Sequence, residues 1–184
     1  MLISRFDDNS ELRLLERHHA SDLFGVIDQN REYLARWLGW VDGSRSSADV
    51  DAFIASALQQ LARGAGIHCG IFVGGQVVGS VGCHEIDARN RKTSAGFWIA
   101  EHLQGRGLAT LSVDALVRYA FLEWGLHRME IRCALDNQRS RALALRLGFE
   151  EEGIRKQYEW ATNGFRDLVV YAGFAPTWLY RKSN

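Results

Sequence analysis

The sequence predicts an α+β domain built on a single mixed, mostly antiparallel β-sheet flanked by helices. Two patterns carry that prediction. Between Ile67 and Ala100, successive strand-like runs are joined by a tight-turn signal at Gly74-Gly75 and a polar turn from Asp87 to Arg91, which reads as an antiparallel meander. After it, Leu108 to Trp124 repeats apolar residues at helical spacing and gives way to an apolar strand pattern from Arg128 to Ala134. A strand–helix–strand unit of this kind crosses over right-handedly, so the strands on either side of its helix are parallel and the sheet is mixed.

Each element follows in order. Met1 leads into a polar-studded strand, and Glu11 to Leu15 forms the first short strand of the expected order. Ser21-Asp22 caps a helix through about Asn30, and Arg31 to Trp40 continues as a second helical piece ending near Gly39. Leu34, Trp37 and Leu38 fall at helical spacing and read as core; Trp40 falls just past the helix end. Ser46 to Asp49 opens a helix with Val50, Phe53, Ile54, Ala57, Leu58 and Leu61 on one face, stopping near Gly64 and Gly66. The meander then runs Ile67–Val73, Gln76–Glu85 and Lys92–Ala100. Gly125 ends the long helix, and Asp136-Asn137 starts a shorter one that closes at Gly148. Phe149 to Trp160, a turn at Asn163-Gly164, and Arg166 to Phe174 form a last hairpin, with Pro176 and a polar tail behind it. No repeat or linker interrupts the chain, so residues 1–184 read as one domain.

Composition narrows the function. At 47% hydrophobic and 24% charged residues the chain sits at the globular average. Lys+Arg and Asp+Glu both total 22, a zero formal charge that disfavours bulk electrostatic binding to nucleic acid or to a membrane surface. Arg139, Arg141, Arg146, Arg155 and Lys156 form the one local basic concentration, and a solvated helix face is the simpler reading of it. Cys69, Cys83 and Cys133 lie in apolar or alternating runs without CxxC or Cys/His spacing, so neither disulfides nor a metal site is expected. With no membrane-length apolar run, a cytoplasmic protein is expected.

The chemistry centres on Phe97 to Thr110: a strand that ends, a turn at Gly105-Arg106-Gly107, and a helix N-terminus. Unpaired first-turn amides and the positive end of the helix dipole suit a phosphate or pyrophosphate, and the glycines let it approach the backbone. A dinucleotide fingerprint fails because Thr110 stands in place of the third Gly and Asp136 lies too far along. A nucleotide P-loop fails because no Gly-Lys-Ser/Thr follows.

Gln104-x-x-Gly107-x-Ala109, set between an apolar strand and a long helix, resembles the signature of the GNAT superfamily of N-acetyltransferases. The Asp136-Asn137-Gln138-Arg139-Ser140 run, Leu147 to Gly153, Asn163 to Tyr171 and Trp37-Leu38-x-Trp40 are similar to blocks of its RimJ/RimL group of ribosomal-protein N-terminal acetyltransferases. The resemblance spans essentially the whole chain, and it departs from the group at Leu111-Ser112, where Glu-Ala is usual.

It implies a GNAT-like acyl-CoA N-acyltransferase fold and acetyl-CoA as the acetyl donor. Gln104, Gly105, Arg106, Gly107, Leu108, Ala109 and Thr110 would cradle the pyrophosphate, Trp98, Ile99 and Ala100 would pair with the pantetheine arm, and Asn137 would contact that arm or cap its helix. Ser140 matches the serine that protonates the departing thiolate. Glu85, at the end of the neighbouring strand, is the expected base; strand alternation turns His84 to the opposite face. Trp37, Trp40, Tyr158 and Asp167 are expected around the acceptor, with Asp167 attracting an amine cation. The acceptor is then a protein N-terminal amine, with a small amine such as a polyamine or aminoglycoside, or a non-catalytic acyl-CoA-binding module, as alternatives. A homodimer is implied by the resemblance alone.

Overall fold

A computed structural model describes residues 1–161 and 164–183, with side chains described through Tyr180. One eight-stranded sheet runs β1(Leu2–Arg5), β2(Ser10–Leu14), β3(Ile67–Val73), β4(Gln76–Asp87), β5(Lys92–Ile99), β6(Arg128–Ala134), then β8(Gly164–Phe174) and β7(Glu150–Ala161). Every neighbouring pair is antiparallel except β5–β6, which is parallel. The helices are α1(Ala20–Gln29), α2(Arg31–Ala35), α3(Ser47–Ala62), α4(Leu108–Leu122), α5(Gln138–Arg146) and α6(Ala175–Ser183). The expected mixed, mostly antiparallel sheet is therefore present, and α4 makes the crossover between its parallel pair.

Local chemistry accounts for the helix ends. Ser46 and Asp49 form a reciprocal capping box at the start of α3. Gly107 takes a left-handed φ of +80° and caps α4, a turn that costs a β-carbon-bearing residue about 1 kcal/mol. Strand alternation sends Val81, Cys83, Ala95, Met129, Ile131 and Tyr171 to one core with α4, α5 and α6. Leu15, Phe72 and Val77 join a second core with α1, α2 and α3.

Two features differ from the sequence expectation and one extends it. The polar-studded strand behind Met1 is present as Leu2–Arg5, an edge strand paired with β2 that precedes the first strand of the expected order. The segment after Phe174 is a helix rather than a polar tail: Pro176 sits in its first turn, where a missing N–H costs nothing, and Trp178 is 2% exposed. The second helical piece ends at Ala35, and a 3-10 turn over Gly39–Gly43 carries the chain onward. Of the expected Asn163-Gly164 turn, Asn163 lies outside the described residues. No helix among the described residues is long and apolar enough to cross a membrane.

Candidate active site

The site exists because the parallel pair comes apart. β5 and β6 are in register only from Lys92↔Arg128 to Ala95↔Ile131, while β6 stays on β8 as far as Ala134↔Leu168. The edge of β5 beyond Ala95 is thus left without a strand partner. A cleft of about 1160 Å³ occupies the wedge.

On one flank stands the glycine loop. Gly105 (φ +77°) and Gly107 (φ +80°) are both left-handed, and a β-carbon built on either would meet nothing within 4 Å. The loop is open toward the cleft, and the first-turn amides of α4 above it lack intrahelical partners. Such a cradle fits a pyrophosphate. Asn30 fixes the approach to it, accepting the Glu101 N–H on Oδ1 at 2.9 Å while its own Nδ2 donates to the Val26 carbonyl.

The loop is tied across the cleft. Gln104 donates through Nε2 to the Tyr33 hydroxyl and accepts on Oε1 from Arg139 of α5. Arg146 Nη1 donates to the Thr110 hydroxyl at 3.2 Å. Arg139 and Arg146 both line the cleft, so part of the expected solvated basic face adds positive charge to the anion cradle. Arg141 is used otherwise, donating to the Tyr171 hydroxyl and the Leu135 carbonyl.

Of the three residues expected along the pantetheine arm, Trp98 and Ile99 line the cleft. Ala100 does not: it is fully buried, and its N–H is spent on the Val78 carbonyl at 2.9 Å. With Trp98 opposite Ser80 in the same register, alternation turns the backbone groups of Phe97 and Ile99 to the open side. Phe97 is the residue that sequence reasoning missed here. Arg106 is exposed and also lies outside the cleft wall, whereas Gln104, Gly105, Gly107, Leu108, Ala109 and Thr110 are in it.

Asn137 and Ser140 meet at the start of α5, both on the cleft, with Asn137 Oδ1 accepting the Ser140 N–H at 3.1 Å. Cys133 lies nearby with 8% exposure, and burial pushes its thiol up to about 11, so it is a neutral thiol rather than a nucleophile near pH 7.

Around the acceptor the sequence expectation is corrected in part. Trp37 and Trp40 line the cleft, with Trp40 tilted against Trp98 at 6.1 Å. Glu85 does not: it sits at φ 51° in the register break of β4 and is exposed outside the wall, and His84 lines the cleft instead. Tyr158 is exposed on β7 beneath the Arg155 guanidinium. Asp167 accepts the N–H of Gln157, whose own φ is 49°, so its carboxylate braces a β7 bulge. The charged pair that does line the cleft is Glu159 and Arg166. Arg166 Nε donates to Glu159 at 2.7 Å, and its guanidinium also holds the carbonyls of Arg36 and Trp37.

A splayed parallel pair, an open glycine cradle on a helix N-terminus and a serine beside them define an acyl-CoA N-acetyltransferase site. The chain belongs to the acetyltransferase (GNAT) domain family, whose model matches residues 10–150. It is 34% identical over 180 residues to YdaF of Bacillus subtilis (strain 168), a protein named as a ribosomal N-acetyltransferase, with 97% of this chain and 98% of that one covered. It is 27% identical to the ribosomal-protein-serine acetyltransferase of Escherichia coli (strain K12), covering 91% and 94%. Among solved structures, RimL, a ribosomal L7/L12 alpha-N-protein acetyltransferase in complex with coenzyme A held as a cysteine disulfide, superimposes with TM-score 0.90 at 26% identity, covering 95% and 98%. The protein is an acetyl-CoA-dependent N-acetyltransferase.

Proposed function

We propose that the acceptor is the α-amino group at a protein N-terminus, that of a ribosomal protein, and that residues 1–184 act as one catalytic domain in the cytoplasm. The observation that carries this reading is the wedge itself. Its lining brings the glycine cradle and Ser140 together with Trp37, Trp40, Glu159 and Arg166, an aromatic and charged wall suited to a polar chain end. The names of the relatives support the same class of acceptor.

Acetyl-CoA supplies an activated acyl group on a good leaving group. The loop amides with Arg139 and Arg146 would hold its phosphates, and the free edge at Phe97 and Ile99 would orient its arm. Ser140, on the same cleft wall, is the hydroxyl we assign to protonate the departing sulfur. Direct attack by the amine on the thioester involves no enzyme-bound acyl group, and burial, which raises the Cys133 thiol, disfavours it as a nucleophile. Orientation of this kind supplies roughly 7–11 kcal/mol of barrier lowering. The test is mass spectrometry of ribosomal proteins and of polyamines incubated with the protein and labelled acetyl-CoA. Label on protein α-amines supports the reading, and label confined to small amines overturns it.

A further inference from the structure

Two imidazoles lie stacked on the acceptor side of the sheet, and the strands are built to admit them. His84 of β4 and His68 of β3 have ring centroids 4.5 Å apart, tilted by 58°. Each ring occupies space that a neighbouring side chain would otherwise fill. A β-carbon on Gly82 would come within 2.6 Å of His68 Nδ1, and one on Gly96 within 3.3 Å of His84 Nε2. His68 is buried, and the edge of Phe53 from α3 closes its far side at 5.0 Å. His84 forms part of the cleft wall, where Glu85 does not.

We propose that His84 is the catalytic residue that takes the proton from the acceptor amine, and that His68 is a positioning residue that fixes its ring. The proposal rests on the N-acetyltransfer reading above. As the amine nitrogen bonds to the acyl carbon, the carbon–sulfur bond breaks and the sulfur keeps the electron pair. The surplus proton on nitrogen passes to the His84 imidazole, the sulfur takes one from the Ser140 hydroxyl, and exchange with solvent restores both groups.

The surroundings keep this base in its working form. His84 is exposed toward the cleft, but the protein packed around its ring lowers it below the ordinary imidazole value, opposed by the Glu85 carboxylate, so the ring is neutral near pH 7. Burial takes His68 down to about 3, helped by His84, so the stacked partner adds no positive charge. From β5, Ser94 lies opposite His84 and the Thr93 hydroxyl donates to the His84 carbonyl. Beyond Ser94 on the same face, Glu130 of β6 is paired with Arg128 and Arg132. A weak base suffices, because the nitrogen turns strongly acidic once it has bonded to the acyl carbon.

The test combines ring NMR with kinetics. Titration of the histidine ring protons in the free protein is expected to give His84 a midpoint below ~6.5 and to leave His68 neutral across the range where the fold persists. The acid limb of kcat/KM should share the His84 midpoint. His84→Gln should lower kcat by about 10²–10⁴-fold with coenzyme A affinity, read by calorimetry, unchanged. That loss should exceed the loss in Glu85→Gln. His68→Ala should raise the His84 midpoint toward the ordinary value and move the acid limb with it, while His68→Phe, which keeps the stack, should restore both. A His84→Gln enzyme that keeps its rate, or a larger loss in Glu85→Gln, overturns the assignment of the base. A His84 midpoint that ignores His68→Ala overturns the pairing. Absence of acetyl transfer to every amine in the unmodified protein would instead sink the functional reading, which the label experiment reads separately.

Discussion

The Asn137 carboxamide oxygen accepts the backbone N–H of Ser140 at 3.1 Å. One side chain therefore both starts α5 and fixes the serine at the cleft. Removing it in Asn137→Ala is expected to cost about 1 kcal/mol of stability, the usual worth of an N-cap, and to lower kcat further than that loss of folding explains. Asn137→Ser, which keeps a capping oxygen, should recover the stability. Thermal denaturation and steady-state rates on the same samples check both.

The anion cradle is open on its loop side and basic on its α5 side. Gly107→Glu places a carboxylate and a β-carbon where φ is +80°, and should abolish coenzyme A binding by repulsion and bulk. Arg139→Gln should raise the dissociation constant about tenfold, equivalent to about 1.4 kcal/mol, and flatten its salt dependence. Calorimetric titration with coenzyme A at two salt concentrations measures each.

Glu130 is 7% exposed, between Arg128 and Arg132. Burial alone would raise its carboxyl, but hydrogen bonds from the two guanidiniums outweigh this and hold it below the ordinary value. A carboxyl depressed in the folded state contributes stability above its unfolded value, near ~4.3, and loses it as pH falls through the folded value. The melting temperature should therefore drop on acidification below about pH 4.3, and part of that drop should vanish in Glu130→Gln. That variant should also be less stable at neutral pH, because Arg132 loses its carboxylate partner while Arg128 keeps Glu152.

Trp178 anchors α6 to the core, with Phe121 edge-on at 5.9 Å. Trp178→Ala should cost about 3–5 kcal/mol in denaturant unfolding, which would make the last helix part of the cooperative fold.

The order of elements and the glycine loop were legible because they rest on local signals: Gly74-Gly75 at a hairpin, apolar periodicity in α4, and Gly107 at a helix start. What escaped depends on tertiary placement. α6 reads as a polar tail because only a short apolar set, Trp178 with Ala175 and Leu179, packs on the core, and Pro176 suggests a break. Arg139 and Arg146 read as a solvated face because nothing local shows that α5 leans across the cleft to Gln104 and Thr110. Glu85 looks better placed than His84 until the register break turns it out with φ 51°, a conformation that no glycine or asparagine announces. The space for the stacked imidazoles is signalled by Gly82 and Gly96, but only cross-strand register reveals whose rings they admit.

The central claim is transfer to an α-amino group, and initial rates with paired synthetic peptides test it most directly. Each peptide carries one internal lysine, with its N-terminus free in one version and blocked in the other. The account predicts saturable acetylation of the free N-terminus and none of the blocked peptide. Equal transfer to both, placed on the lysine, would contradict it.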